Sequence, residues 1–181
     1  MKNNYTFTSE SVSAGHPDKV ADQISDALVD AGLKAGDETT RVAIETLVTT
    51  NHVTIAGEVK NFNVTSDDIE QIIRDKVKEI GYEQKGFHHE SLEINNLIHS
   101  QSGDIGLGTD NFGAGDQGIM FGYACLDNDA FLPAPIYYSH EILQNLNEKR
   151  KSGYDYMLPD AKSQVSIEYK GGVPKRIDQI V

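Results

Sequence analysis

The segment Gly15-His16-Pro17-Asp18-Lys19 concentrates an imidazole, a carboxylate and an ammonium within five residues. Pro17 suits the first position of a helix, because the N–H it lacks has no partner there. Val20, Ile24, Leu28 and Ala31 continue as an apolar helical stripe, and Gly32 is the expected stop. The charged group therefore lies at a helix mouth, where free N–H groups and the helix dipole favour anions. His16 and Lys19 suit a phosphate there, and Asp18 suits the Mg2+ that accompanies one. An ordinary capped helix with an acidic first turn uses the same residues. Asp18, Asp22, Asp26 and Asp30 then recur every fourth residue. Like charges at that spacing repel by roughly 0.2–0.5 kcal/mol per pair, so the row either faces water or meets something basic or metallic.

Other candidates are more scattered. Residues 42–48 and 53–59 read as two strands joined by a turn at Asn51-His52, which places Glu45 directly opposite Glu58 on one face. Two opposed carboxylates need a cation or a ligand ammonium, unless Lys and Arg neighbours on an exposed face temper them. Gly113-Ala114-Gly115-Asp116-Gln117-Gly118 fits the G-x-G-x-x-G pattern. A dinucleotide fingerprint needs a strand before and a helix after, whereas here a polar glycine-rich stretch precedes and a strand pattern follows, so that reading is rejected. Asp116 remains available to a polar or charged substrate group. Asp160 and Lys162, in Pro159-Asp160-Ala161-Lys162, stand at a strand entrance, where they suit ribose hydroxyls and a phosphate, or a plain surface turn. His88-His89-Glu90 has no second cluster at metal-site spacing, and His99 and His140 stand alone. Cys125, among Phe121 and Tyr123, reads as a buried, inert thiol.

These residues need elements to position them, and the apolar periodicity alternates between helix and strand, an α/β or α+β chain. A second helix is expected over 67–80, with Thr65 and Asp68 as a capping box, Ile69, Ile72, Ile73, Val77 and Ile80 inward and Gly81 as its stop. Residues 102–118 hold six glycines and few large apolar side chains, a mobile loop on composition. A strand pattern resumes over 119–125. Pro135 opens a third helix through residue 150, with Ile136, Leu143 and Leu146 inward. A hairpin follows, 163–169 and 173–181, turning at Gly171-Gly172.

Composition bounds the partners. Of 181 residues, 28 are Asp or Glu and 16 Lys or Arg, a formal net charge of −12. Such a surface argues against nucleic acid or an anionic membrane as partner, and any phosphate ligand needs metal ions or borrowed cations. One cysteine forbids an intrachain disulfide and fits a reducing compartment. With no membrane-length apolar run and no apolar leader, a cytoplasmic location is expected.

Taken together, Phe7-Thr8-Ser9-Glu10-Ser11-Val12-Ser13 with the following stretch from Gly15 to Asp26, Gln101-Ser102-x-Asp104-Ile105, Gly113 to Ala124 and Pro159 to Val165 closely resemble the S-adenosylmethionine synthetase (methionine adenosyltransferase) family. The resemblance runs along essentially the whole chain and covers about half the family's usual length. It implies that family's fold, modules of sheet plus helices built from discontinuous stretches and incomplete in a half-length chain. The organisation expected is an N-terminal module over 3–101, a mobile gate over 102–112 and the start of the central module over 113–181. Three departures accompany it: a shorter stretch between Gln101 and Gly113, Leu158 where an Arg often stands, and Ala14 in place of a common acidic residue.

The resemblance also implies an activity: the methionine sulfur attacks C5′ of ATP, the whole triphosphate leaves, and water then cleaves it to phosphate and pyrophosphate. By the same route His16 lies by the triphosphate near the leaving oxygen, Asp18 ligates Mg2+, and Glu45 holds K+. Glu58, Gln101 and Asp116 line the methionine side, and Asp160, Ala161 and Lys162 hold ATP, with Lys162 on the phosphates. Since the missing half normally brings the phosphate-binding glycines and several Lys and Arg residues, a second polypeptide in a hetero-oligomer is the expected partner. The competing expectation is a non-catalytic chain that regulates or stabilises a full-length synthetase.

Overall fold

The computed structural model describes residues 4–101, 117–154 and 156–181, and these divide into two compact units. Residues 17–119 form a continuous unit, and residues 1–16 with 120–181 form a split unit. The chain opens with β1 (Tyr5–Val12) of the split unit. The continuous unit follows, with α1 (Pro17–Ala35), β2 (Arg41–Thr49), β3 (His52–Lys60), α2 (Ser66–Ile80), the short pair β4 (Glu83–Gln84) and β5 (Phe87–His88), and β6 (Glu93–Ser100). The split unit then resumes with α3 (Ala134–Lys151), β7 (Lys162–Lys170) and β8 (Val173–Ile180).

In the continuous unit β2, β3 and β6 form one sheet, β3 antiparallel to β2 and parallel to β6. One sheet face packs with α1 and α2 around Val20, Ile24, Leu28, Ile55, Ile73 and Val77, all at or near full burial. α2 starts and stops as its sequence directs. Thr65 is its N-cap, accepting from the Asp68 N–H at 3.2 Å, and Gly81 takes the left-handed C-cap at φ 105°. α1 departs from expectation. It runs through Gly32 to Ala35, because Gly32 is a packing glycine: a Cβ there would stand 2.6 Å from the Phe62 ring and 2.9 Å from Val42.

The β2–β3 register also differs. Thr49 pairs with His52, so the turn residues are Thr50 and Asn51, and Asn51 takes φ 48°, a left-handed value that Asn tolerates well. Ala43 consequently faces Glu58, and Ala56 faces Glu45. The carboxylates share a face as diagonal neighbours and are not directly opposed. β6 carries no clear strand signal, since Asn95 and Asn96 interrupt its alternation; its parallel ladder to β3 supplies the order.

In the split unit β7 lies between β1 and β8, antiparallel to both. The hairpin turn is Gly171-Gly172, with φ 62° and 76°, which only glycine adopts cheaply at both positions. α3 lies over β1 and β7. Ala134, Val165, Ile167 and Tyr169 form the buried cluster beneath it. Asp127 serves the start of α3 from a distance: its Oδ2 accepts the Ala134 N–H at 3.0 Å and the Tyr169 hydroxyl at 2.6 Å. Leu146, expected inward, is exposed. Residues 119–125, expected as a strand, join no ladder with described residues, and Met120, Phe121 and Tyr123 are exposed. Cys125 is a free thiol that is only partly buried.

Candidate active site

The split unit brings two of the sequence motifs together. Residues 13–16 leave β1 and run beside residues 159–161, which enter β7. Ser13 ties them with its backbone and its side chain. Its N–H donates to Ala161 O at 2.9 Å, its Oγ donates to Pro159 O at 2.7 Å, and its Oγ accepts the Ala161 N–H at 2.7 Å. The Gly15 N–H adds a bond to Pro159 O at 3.2 Å. Gly15 is buried here, and a Cβ would stand 2.4 Å from the Pro159 carbonyl carbon, so the residue before His16 must be glycine for this approach. His16 is partly buried and its N–H bonds Ser13 O at 3.1 Å. His16, Asp160, Ala161 and Lys162 thus emerge from one bonded junction between two distant stretches of chain. A cavity of about 240 Å³ opens at that junction, lined by Ser13, Asp160, Ala161, Leu143 and Arg150 among others.

Lys162, at the start of β7, reaches Glu10 of β1, Nζ to Oε1 2.9 Å, with both side chains about half exposed. Exposed pairs of this kind contribute about 0–1 kcal/mol, so the ammonium can trade Glu10 for a ligand anion at little cost. Glu10 had not been singled out from sequence. Its place follows from the β1–β7 ladder, which pairs Val12 with Lys162 and so sets Glu10 one diagonal step away.

The continuous unit holds a second cluster. The outer face of β2-β3-β6, opposite α1 and α2, carries Glu45, Glu58 and His99. Glu58 and His99 are cross-strand partners, Oε1 to Nε2 3.5 Å. His99, a lone histidine in the sequence, is therefore an imidazole neighbour of Glu58. The Gln101 N–H extends the ladder by donating to Val59 O at 2.9 Å. Strand alternation puts Gln101 on the same side as His99. Its Oε1 is buried and has no hydrogen-bond partner among the described residues. A buried amide oxygen without a partner costs on the order of 1–3 kcal/mol, and a donor from a ligand would recover it. Glu45 is exposed on the same face.

Asp18 is exposed in the first turn of α1. Of the acidic row that follows, Asp22 binds Lys19 at 2.8 Å, which raises the Lys19 pKa above its usual value through that hydrogen bond and charge. Asp26 and Asp30 share a cleft with Lys34 and Lys76. The basic neighbour is thus lysine from α1 and α2. Among the described residues no three His, Cys, Asp or Glu side chains gather as a metal cage. Mg2+ commonly takes one or two protein carboxylates and completes its shell with water and substrate phosphate, and a single exposed Asp18 at a helix mouth fits that mode. Asp116 and the expected gate over 102–112 lie outside the described residues.

A fold of such sheet-and-helix units has known counterparts. The chain matches the family model for the S-adenosylmethionine synthetase N-terminal domain over residues 4–103 and that for the central domain over 111–181. It is 57% identical over 187 residues to the S-adenosylmethionine synthase of Paramagnetospirillum magneticum, covering 99% of this chain and 48% of that protein. The synthase of Rhodospirillum centenum is 54% identical over 186 residues, with the same coverage. A solved S-adenosylmethionine synthetase from Campylobacter jejuni superposes with a TM-score of 0.84 at 37% identity, over 97% of this chain and 47% of that one. The chain belongs to the S-adenosylmethionine synthetase family. It spans about half the length of the curated relatives it matches.

Proposed function

We propose that this chain is a catalytic subunit of a methionine adenosyltransferase that makes S-adenosylmethionine, phosphate and pyrophosphate from ATP, methionine and water, and that a second polypeptide completes its active site. In this reading His16, Asp160, Ala161 and Lys162 bind ATP, with Lys162 on the phosphates and His16 near the oxygen that leaves C5′. Glu58 and Gln101 bind methionine: the Glu58 carboxylate suits its ammonium, and the Gln101 amide oxygen gains the donor it lacks. Asp116 lines the same side. Asp18 holds Mg2+ and Glu45 holds K+, and such cations, when bound, stabilise the charge of the departing triphosphate.

The sulfur attacks without losing a proton, so the protein's work is alignment and charge stabilisation rather than general-base catalysis. The observation that carries the reading is the Ser13-pinned junction, which presents His16 and the Asp160-Ala161-Lys162 turn together. The chain has 16 Lys and Arg against 28 Asp and Glu, so cations for a triphosphate must come from elsewhere. A chain of this composition fits a cytoplasmic setting, and no helix among the described residues is long and apolar enough to cross a membrane.

The test is Lys162→Ala in the complex with the complementary half. Lys162 is exposed and its Glu10 pair is weak, so assembly on a sizing column should be unchanged. Product per assembled complex should fall at least 100-fold, about the loss of one preorganised charge contact. Undiminished turnover would reject the catalytic role and leave a regulatory one.

A further inference from the structure

We infer that His99 is a further specificity-determining residue, the acceptor that completes a seat for a primary ammonium; this rests on the assignment of Glu58 and Gln101 to methionine proposed above. Two oxygens face the ring. Its Nδ1 stands 3.4 Å from the Leu97 carbonyl oxygen of its own strand, and its Nε2 stands 3.5 Å from Glu58 Oε1 across the β3–β6 ladder. A carbonyl oxygen only accepts, so the Leu97 contact puts the ring hydrogen on Nδ1. In the neutral imidazole the other nitrogen is then a bare lone pair, and here it faces a carboxylate oxygen. Two acceptors turned toward each other repel until an N–H donor is set between them.

The spacing admits such a donor. A nitrogen about 2.8 Å from each acceptor closes a compact triangle on that 3.5 Å base, and about 2.8 Å is the usual length of a charge-assisted N–H bond. Gln101 adds a third acceptor. Strand alternation sets it on the same side of β6 as His99, and its Oε1 is buried with no hydrogen-bond partner among the described residues. A primary ammonium carries three N–H donors, one for each of these groups. Glu45 lies on the same face opposite Ala56, a second carboxylate that favours a cation there. The side chain of His99 is 64% exposed and that of Glu58 27%, so a small ligand reaches both. An amine that has lost one hydrogen to a methyl group leaves one acceptor unmet, and that is the discrimination His99 supplies.

The probes are L-methionine, N-methyl-L-methionine and ATP, given to this chain assembled with the part of the Paramagnetospirillum magneticum synthase that it does not match. His99→Phe keeps a ring and removes the acceptor. It should raise the KM for methionine about 10-fold, leave kcat and the KM for ATP within about twofold, and narrow the preference for methionine over its N-methyl form by about 10-fold. The position is exposed, so circular dichroism of the variant should match the parent. An unchanged methionine KM, or equal rises for methionine and ATP, would overturn the inference. Glu58→Gln separates that result from failure of the assignment beneath it. A methionine KM raised by Glu58→Gln and untouched by His99→Phe removes His99 and keeps the methionine face; no change in either variant removes both. The ring is also read directly in the chain alone, by nitrogen-15 spectra of labelled histidine at mildly alkaline pH. The Nδ1–H tautomer is expected at His99. An Nε2–H tautomer would overturn the inference whether or not the assembled pair makes product.

Discussion

The two units have sheets of equal width and unequal cores. The continuous unit places two helices on β2-β3-β6 and buries Ile24, Leu28, Ile55, Ile73 and Val77 completely or nearly so. The split unit has α3 on β1-β7-β8 and a cluster of Ala134, Val165, Ile167 and Tyr169. Among the described residues, every exposed large apolar side chain except Leu33, Leu47, Leu97 and Ile119 belongs to the split unit. An exposed apolar residue alone means little, but a concentration of them in one unit marks surface intended for cover. The difference is one of closure: among the described residues, the unit that carries Lys162 is also the one with the smaller buried cluster.

The largest effect that would sharpen this contrast is in the cores. Ile73→Ala should cost the continuous unit about 4 kcal/mol, because its surroundings are packed on all sides and cannot collapse into the space. Ile167→Ala should cost the split unit about 2 kcal/mol, since a shallow layer can settle. Urea titrations followed by amide exchange within each unit measure both. Equal losses would break the comparison.

A smaller effect concerns Asp127, whose carboxylate serves both the first turn of α3 and the Tyr169 hydroxyl. Asp127→Ala should cost about 1.5 kcal/mol and fall on the split unit alone, measured by the same exchange. Burial, and then the Asp127 bond, push the Tyr169 hydroxyl pKa well above the usual tyrosine range. A group held protonated by the fold keeps its contribution below its unfolded pKa, about 10, and loses it as pH rises through the folded value. The split unit should therefore lose stability above about pH 10, read as a falling unfolding midpoint. An invariant midpoint up to pH 11 would contradict the Tyr169–Asp127 account.

What was legible in the sequence was local. Thr65 and Gly81 bracket α2 and Gly171-Gly172 turn the last hairpin because each choice is decided within a few residues. Gly32 misled because a glycine that stops a helix and one that admits Phe62 look alike until the partner is placed. The β2–β3 register was off because Asn51 took the left-handed turn position itself. β6 escaped notice because its parallel ladder to β3 is a long-range pairing that two asparagines obscure. At the candidate site the motif residues stood out, while Glu10 and His99 did not. Their meaning comes from cross-strand partners more than 40 positions away, which only the registers reveal.

The most direct measurement of the central claim is product formation with ATP, methionine, Mg2+ and K+ by the purified chain, alone and with the complementary half of a relative. The chain alone should form no S-adenosylmethionine, and the pair should form it at a rate that tracks the amount of assembled complex. Robust synthesis by the chain alone would contradict a site completed by a second polypeptide.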